Sequence, residues 1–147
     1  MTVIASNGGP VLAVNVTKRN NAWAVENAWE NPDHPFRLSN AVVVGDTVFG
    51  LSQRNMGQYF AIDARTGKTL WTSEPRQAAN ASIVYSGRVL FSLEEDGELV
   101  VFRNSGTGLE ELRRYKLAGA ETWTQPVISG NRVFVKDVSS LALWTLN

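Results

Sequence analysis

"MGQYFAIDARTGKTLW", residues 56–71, contains Gly67-Lys68-Thr69, the last three letters of a phosphate-binding loop. That loop needs Gly-x-x-x-x-Gly-Lys-[Ser/Thr] between a strand and a helix, so that backbone N–H groups converge on the phosphates. Here the first glycine would fall on Ile62, and Lys68 is followed by "TLWTSEP", a strand-like run ending at a proline. Thr66-Gly67 therefore reads as the tight turn between two strands, with Asp63 entering it and Trp71 packed behind. A nucleotide site is excluded on this reading.

The same arrangement recurs along the chain. Three hairpin signals, Gly45-Asp46, Ser86-Gly87 and Gly130-Asn131, sit between apolar runs: "NAVVV" and "TVFGLS", "ASIVY" and "RVLFSL", "QPVIS" and "RVFVKD". A second hairpin follows each, through "QRNMGQ", "EEDGE" and "VSS". The chain start fits the register with "TVIAS", "NGGP" and "VLAVNV". Fourth strands, "AWAVENAW", "TLWTSEP" and "ELRRYKL", close the first three units and place Trp29, Trp71 and Tyr115 in matching positions. Four short antiparallel strands per unit, recurring at this spacing, predict an all-β propeller rather than a sandwich, which need not repeat every fourth strand. About three and a half to four blades are present, near 1–33, 36–76, 79–118 and 121–147, within a single partial domain, half or a fragment of a seven- or eight-bladed propeller.

The run at 56–71 closely resembles the PQQ-like, quinoprotein-type β-propeller repeat, at Gly57, Tyr59, Ala61, Asp63, Thr66, Gly67, Lys68 and Trp71. The next repeat keeps Gly97, Leu99, Thr107 and Gly108, but has Arg103 for the Asp and Tyr115 for the Trp. The first keeps Gly9, Leu12 and Trp29, its Thr-Gly turn having become "TKRNNA". The resemblance implies structural roles for these residues: hydrogen bonds to Asp63 in the turn, backbone freedom at Gly67, burial of Trp71 between blades. It implies seven or eight blades in the whole ring. The first unit lacks an innermost strand and the last an outer one, so further N-terminal blades or a homodimer of half-rings is expected to complete the propeller. The same resemblance, shared with outer-membrane-assembly lipoprotein propellers, favours a periplasmic or extracellular setting and a non-catalytic scaffold for a protein or other ligand. Its alternatives are a fragment of a PQQ-dependent dehydrogenase, whose ligands lie elsewhere, and a carbohydrate-binding propeller.

Composition narrows these. The 147 residues carry 14 Lys+Arg and 14 Asp+Glu, which gives little support to nucleic-acid binding. No cysteine is present, which removes disulfides, thiolate metal sites and the vicinal disulfide of many quinoproteins. No apolar run is long enough to span a bilayer, and "MTVIASN" shows no secretory leader. No residue can be placed on a catalytic, PQQ or calcium site, so no cofactor is expected. His34, the one histidine, is expected in a solvated loop, and Glu94-Glu95-Asp96-Gly97-Glu98 at a soluble hairpin tip. Asn15-Val16-Thr17 and Asn80-Ala81-Ser82 fit the glycosylation triplet, which is common by chance. What remains is a surface: the loops expected to crowd one face carry Arg37, Arg54, Asn80 and Trp123. Trp123 reads either as part of a recognition patch there or as packing between blades.

Overall fold

The computed structural model describes residues 2–146, and those residues form four antiparallel sheets. The first holds β1 (Thr2–Ala5), β2 (Val11–Arg19) and β3 (Ala22–Asn31). The second holds β4 (Val42–Val44), β5 (Thr47–Ser52), β6 (Gln58–Asp63) and β7 (Thr69–Thr72). The third holds β8 (Ala81–Ser86), β9 (Val89–Glu94), β10 (Glu98–Asn104) and β11 (Leu109–Lys116). The fourth holds β12 (Val127–Ser129), β13 (Arg132–Lys136) and β14 (Leu141–Thr145). Within each sheet the strands lie in chain order, so each is a meander, the form of a propeller blade.

Strand alternation sends successive side chains to opposite faces, and both faces of the middle blades are apolar. Phe49, Leu51, Tyr59, Ala61 and Trp71 pack against Ala81, Ile83, Leu90, Val100 and Phe102 of the third blade. The opposite face of the third blade presents Phe91, Leu93, Leu99 and Val101 to Val133 and Val135 of the fourth. Val48, Phe60 and Ile62 meet Val11 of the first blade, with Phe36 closing that layer. Three cores thus lie between blades, and none lies within a single sheet.

Two glycines are required by close approach. A Cβ on Gly57 would lie 1.9 Å from the Ala78 carbonyl oxygen, and one on Gly97 would lie 2.5 Å from that of Ala118. Both sit in the loop joining second and third strands, where the next inter-blade segment crosses directly over them.

Several turns differ from the sequence expectation. The hairpin of the third blade is Gly87-Arg88, not Ser86-Gly87: Ser86 pairs with Val89, and φ is +57° and +81° at the two turn residues. Glycine therefore opens all three such hairpins. In the first blade "TKRNNA" is mostly strand, with only Asn20 and Asn21 turning, at φ of +49° and +62°. In the third, the left-handed residue is Gly106 rather than Gly108. Tyr115 does not share the register of the tryptophans. Trp29 and Trp71 oppose Ala13 and Ala61, each beside a bulge, whereas Val101 beside the corresponding bulge faces Arg113, and Tyr115 lies two pairs along, opposite Leu99.

Candidate functional site

The loops between second and third strands and the segments between blades share one end of the molecule, where backbone hydrogen bonds link them in series. Gly8 N–H donates to the Phe36 carbonyl and Gln53 N–H to that of Pro35. Arg76 N–H reaches Asn55 O, Gln77 N–H reaches Gly57 O, and Glu95 N–H reaches Asn80 O. Thr122 N–H then donates to Glu95 O. A rim of short loops is held this way as one rigid face, which suits binding better than long mobile loops do.

The four surface residues expected from the sequence sit on this rim in different ways. Arg37 lies beside Gly8. Arg54 donates to the Pro32 carbonyl at 3.0 Å. Asn80 is half-buried, and its N–H and carbonyl are both taken by Glu95. Trp123 is 54% exposed, with its indole N–H on Glu121 Oε2 at 3.2 Å, so it is not buried between blades. Beside it is a hollow of about 240 Å³ formed with Lys136 and Val138.

A further cavity is one that the sequence did not indicate. A cleft of about 560 Å³ opens between the second and third blades, lined by Gln53, Met56, Arg76, Gln77 and Glu95 among others. Both Glu95 carboxylate oxygens are held by backbone N–H groups, those of Ala79 at 3.0 Å and Asn80 at 2.9 Å. Among the described residues, Arg37, Arg54 and Arg76 make no ion pair, unlike Arg65, Arg103 and Arg114. The proline in "EPRQ" marks Arg76 as a loop residue in the sequence, but not as part of a cleft.

The structural residues of the repeat bind blades together. Asp63 Oδ1 accepts from the N–H groups of Arg65 and Thr66 and from the Thr66 hydroxyl, which hold its carboxyl below the usual range. Gly67 turns at φ +73°, and a Cβ there would lie 2.7 Å from the Trp29 ring. Trp29 Nε1 donates to Ala64 O at 2.9 Å, and Trp71 Nε1 to Asn104 Oδ1 at 2.9 Å. Each tryptophan thereby reaches the last turn of the following blade.

Two expectations are corrected. His34 is buried, not solvated: its ring stacks on Phe60 with centroids 4.8 Å apart, and Nε2 meets Thr69 Oγ1 at 3.0 Å. Burial pushes its pKa down, against the pull of Asp33 and with the help of Arg54. The acidic run is not simply a hairpin tip either, because Glu94 is 3% exposed. Its Oε1 accepts from the Tyr59 hydroxyl at 2.8 Å and its Oε2 faces Arg114 at 3.1 Å. Burial raises the Glu94 carboxyl to about 7 despite Tyr59 and Arg114.

Glu94, Asp96 and Glu98 are the described acidic side chains whose oxygens come close enough to share a metal ion. They do not fit the calcium of a quinone site, because Arg114 already bridges Glu94 and Glu98 and Lys116 holds Asp96. No described helix is long and apolar enough to cross a membrane.

Comparison with known proteins places this geometry. The chain superposes on the computationally designed Ika4 protein with a TM-score of 0.66 at 16% identity, covering 98% of this chain and 89% of that one. For BamB from Moraxella catarrhalis the TM-score is 0.55 at 13% identity, over 98% of this chain and 60% of that one. For a europium-containing methanol dehydrogenase the TM-score is 0.52 at 19% identity, over 73% of this chain and only 22% of that one. The chain therefore spans less than two thirds of each of these two natural propellers. No curated protein matches it. The family model described as outer membrane protein assembly factor BamB matches residues 55–147.

Proposed function

The chain belongs to the outer membrane protein assembly factor BamB family, and on that premise we propose that residues 1–147 form one partial propeller domain that binds a protein partner and does no chemistry of its own. The binding surface is the loop face carrying Arg37, Arg54, Asn80 and Trp123. The observation that supports this reading is a rim tied by backbone hydrogen bonds that carries arginines without ion pairs among the described residues and, at Trp123, an exposed indole. Arginine and tryptophan are the side chains that most often anchor protein interfaces. Photo-crosslinking from positions beside Arg54 and Trp123 tests it: a defined partner is captured, and Arg54→Ala with Trp123→Ala loses it while the melting temperature holds. A partner that stays bound to that double variant would overturn the assignment.

The reading extends to the ends of the array. Val127, Leu141 and Leu143 on the last blade and Trp23 and Val25 on the first are exposed and apolar. They are covered either by further blades or by a second copy of the chain, so the isolated chain self-associates; light scattering at micromolar concentration reads this directly. Family membership favours a periplasmic or extracellular setting. The exposed Trp123 also supports a second reading, as a carbohydrate platform, which a glycan array tests.

A further inference from the structure

The 560 Å³ cleft does not end at Met56 and Arg76. The same two residues form the wall of a second hollow of about 340 Å³, completed by Asn55 and Pro75. The two spaces make a trough with Met56 and Arg76 as the saddle between them. A compact ligand would fill one hollow. An extended chain fills both, because its alternate side chains lie about 7 Å apart and point the same way.

The saddle is held in an unusual backbone state. Asn55, Met56 and Arg76 have φ of +52°, +64° and +63°, in the left-handed region that non-glycine residues avoid. Asparagine tolerates this region, but methionine and arginine do not favour it. Arg76 N–H to Asn55 O, at 3.1 Å, ties the strained residues to one another across two loops. Glycine would satisfy the backbone at 56 and 76, so the presence of long side chains there points to a use for them.

Their chemistry defines the occupant. Met56 is 70% exposed, an adaptable apolar surface of the kind found at peptide-binding sites. Arg76 is exposed and has no ion pair among the described residues, while the nearby Glu95 carboxylate is already satisfied by two backbone N–H groups. The Gln77 amide donates to Glu74 O and keeps its carbonyl oxygen as an acceptor, and Gln53 offers a second amide. We infer that this trough binds an extended acidic peptide segment, with an aliphatic side chain on Met56, a carboxylate on Arg76 and main-chain amides on Gln53 and Gln77. The inference rests on the loop face being the binding face, and it names the chemistry of the partner there.

The test is fluorescence anisotropy on the full chain with a labelled hexapeptide amide, Leu-Ala-Asp-Ala-Asp-Ala, whose leucine and aspartates share one face when extended, beside its counterpart carrying Lys at both Asp positions. The acidic peptide binds at least about tenfold tighter than the basic one. Met56→Gly and Arg76→Gly, which relax the backbone rather than unfold it, each weaken the acidic peptide by about tenfold. Arg76→Glu reverses the preference between the two peptides. Equal affinity for both peptides, unchanged affinity in the glycine variants, or no anisotropy change up to about 1 mM overturns the inference. If those results appear while the Arg54→Ala and Trp123→Ala pair still abolishes crosslinking, the loop-face reading stands and only the trough is lost.

Discussion

Glu94 makes the stability of the blade 2–blade 3 interface depend on pH in a direction opposite to that of most carboxylates. Its carboxyl is lifted from 4.5 to about 7 by burial, which the Tyr59 and Arg114 contacts only partly offset. Between those values the folded protein holds a proton that the unfolded chain has lost, so stability falls as pH rises through the window. At 1.36 kcal/mol per unit the full loss is about 3 kcal/mol, of which about 2.5 kcal/mol falls between pH 5 and pH 8. Below pH 4.5 both states are protonated and the effect ends. His34, whose pKa burial lowers, pulls the other way as pH drops, so the wild-type profile mixes the two. Glu94→Gln isolates the carboxylate, because the amide keeps an acceptor for Tyr59 and cannot ionise. Urea unfolding of both proteins at pH 5 and pH 8 should show the variant gaining about 2–3 kcal/mol on the wild type over that interval. A gap between the two proteins that is the same at both pH values would refute the reasoning.

The packing yields further expectations. Trp71→Ala empties a buried interface site and should cost about 3–5 kcal/mol, while Trp71→Phe, which loses the hydrogen bond to Asn104 and part of the ring, should cost less; thermal melts rank them. Gly50→Ala would place a Cβ 2.5 Å from the Phe60 ring and should destabilise by about 1–3 kcal/mol, and Phe60→Leu should recover part of that loss in a double-mutant cycle. Met56→Gly and Arg76→Gly should each raise stability by up to about 1 kcal/mol, because each relieves a left-handed φ, and the melting temperature should rise. Asp137, held down to about 2 by the N–H groups of Ser139 and Ser140 and the Ser140 hydroxyl, should lose its contribution only as pH falls from about 4 toward 2, which acid unfolding of Asp137→Asn would show as an earlier plateau.

How far the sequence carried depends on which residues were read. Strand runs and turns repeat with a period that local chemistry makes visible, so the meander of each blade followed from alternation and from glycine in the gaps. The register errors arose where two neighbours could both serve: Ser86-Gly87 and Gly87-Arg88 are equally good turn pairs on paper, and only the Ser86–Val89 pairing decides between them. Spacing alone matches Tyr115 to the tryptophans, but the β10–β11 hairpin pairs out to Asn104–Leu109, and this longer turn arm puts Arg113 rather than Tyr115 beside the bulge. His34 looked solvated because its neighbours Asn31, Pro32 and Asp33 are loop formers. Its burial comes from Phe60 and Thr69, more than twenty residues away. Arg54 is legible as a loop residue and Trp123 reads two ways until its exposure decides, whereas the cleft beside Arg76 depends on two loops meeting, which no local pattern encodes.

The tryptophan links have a mechanical corollary. Trp29 fastens the first sheet to the second, and Trp71 the second to the third, each through a single bond into its neighbour's final turn. Neither tryptophan reaches past the adjacent sheet, so fraying at either terminus travels inward one wedge at a time. Amide exchange should therefore be slowest in β5, β6, β9 and β10, and a pulled molecule should yield in steps, shedding its outer wedges before the central pair.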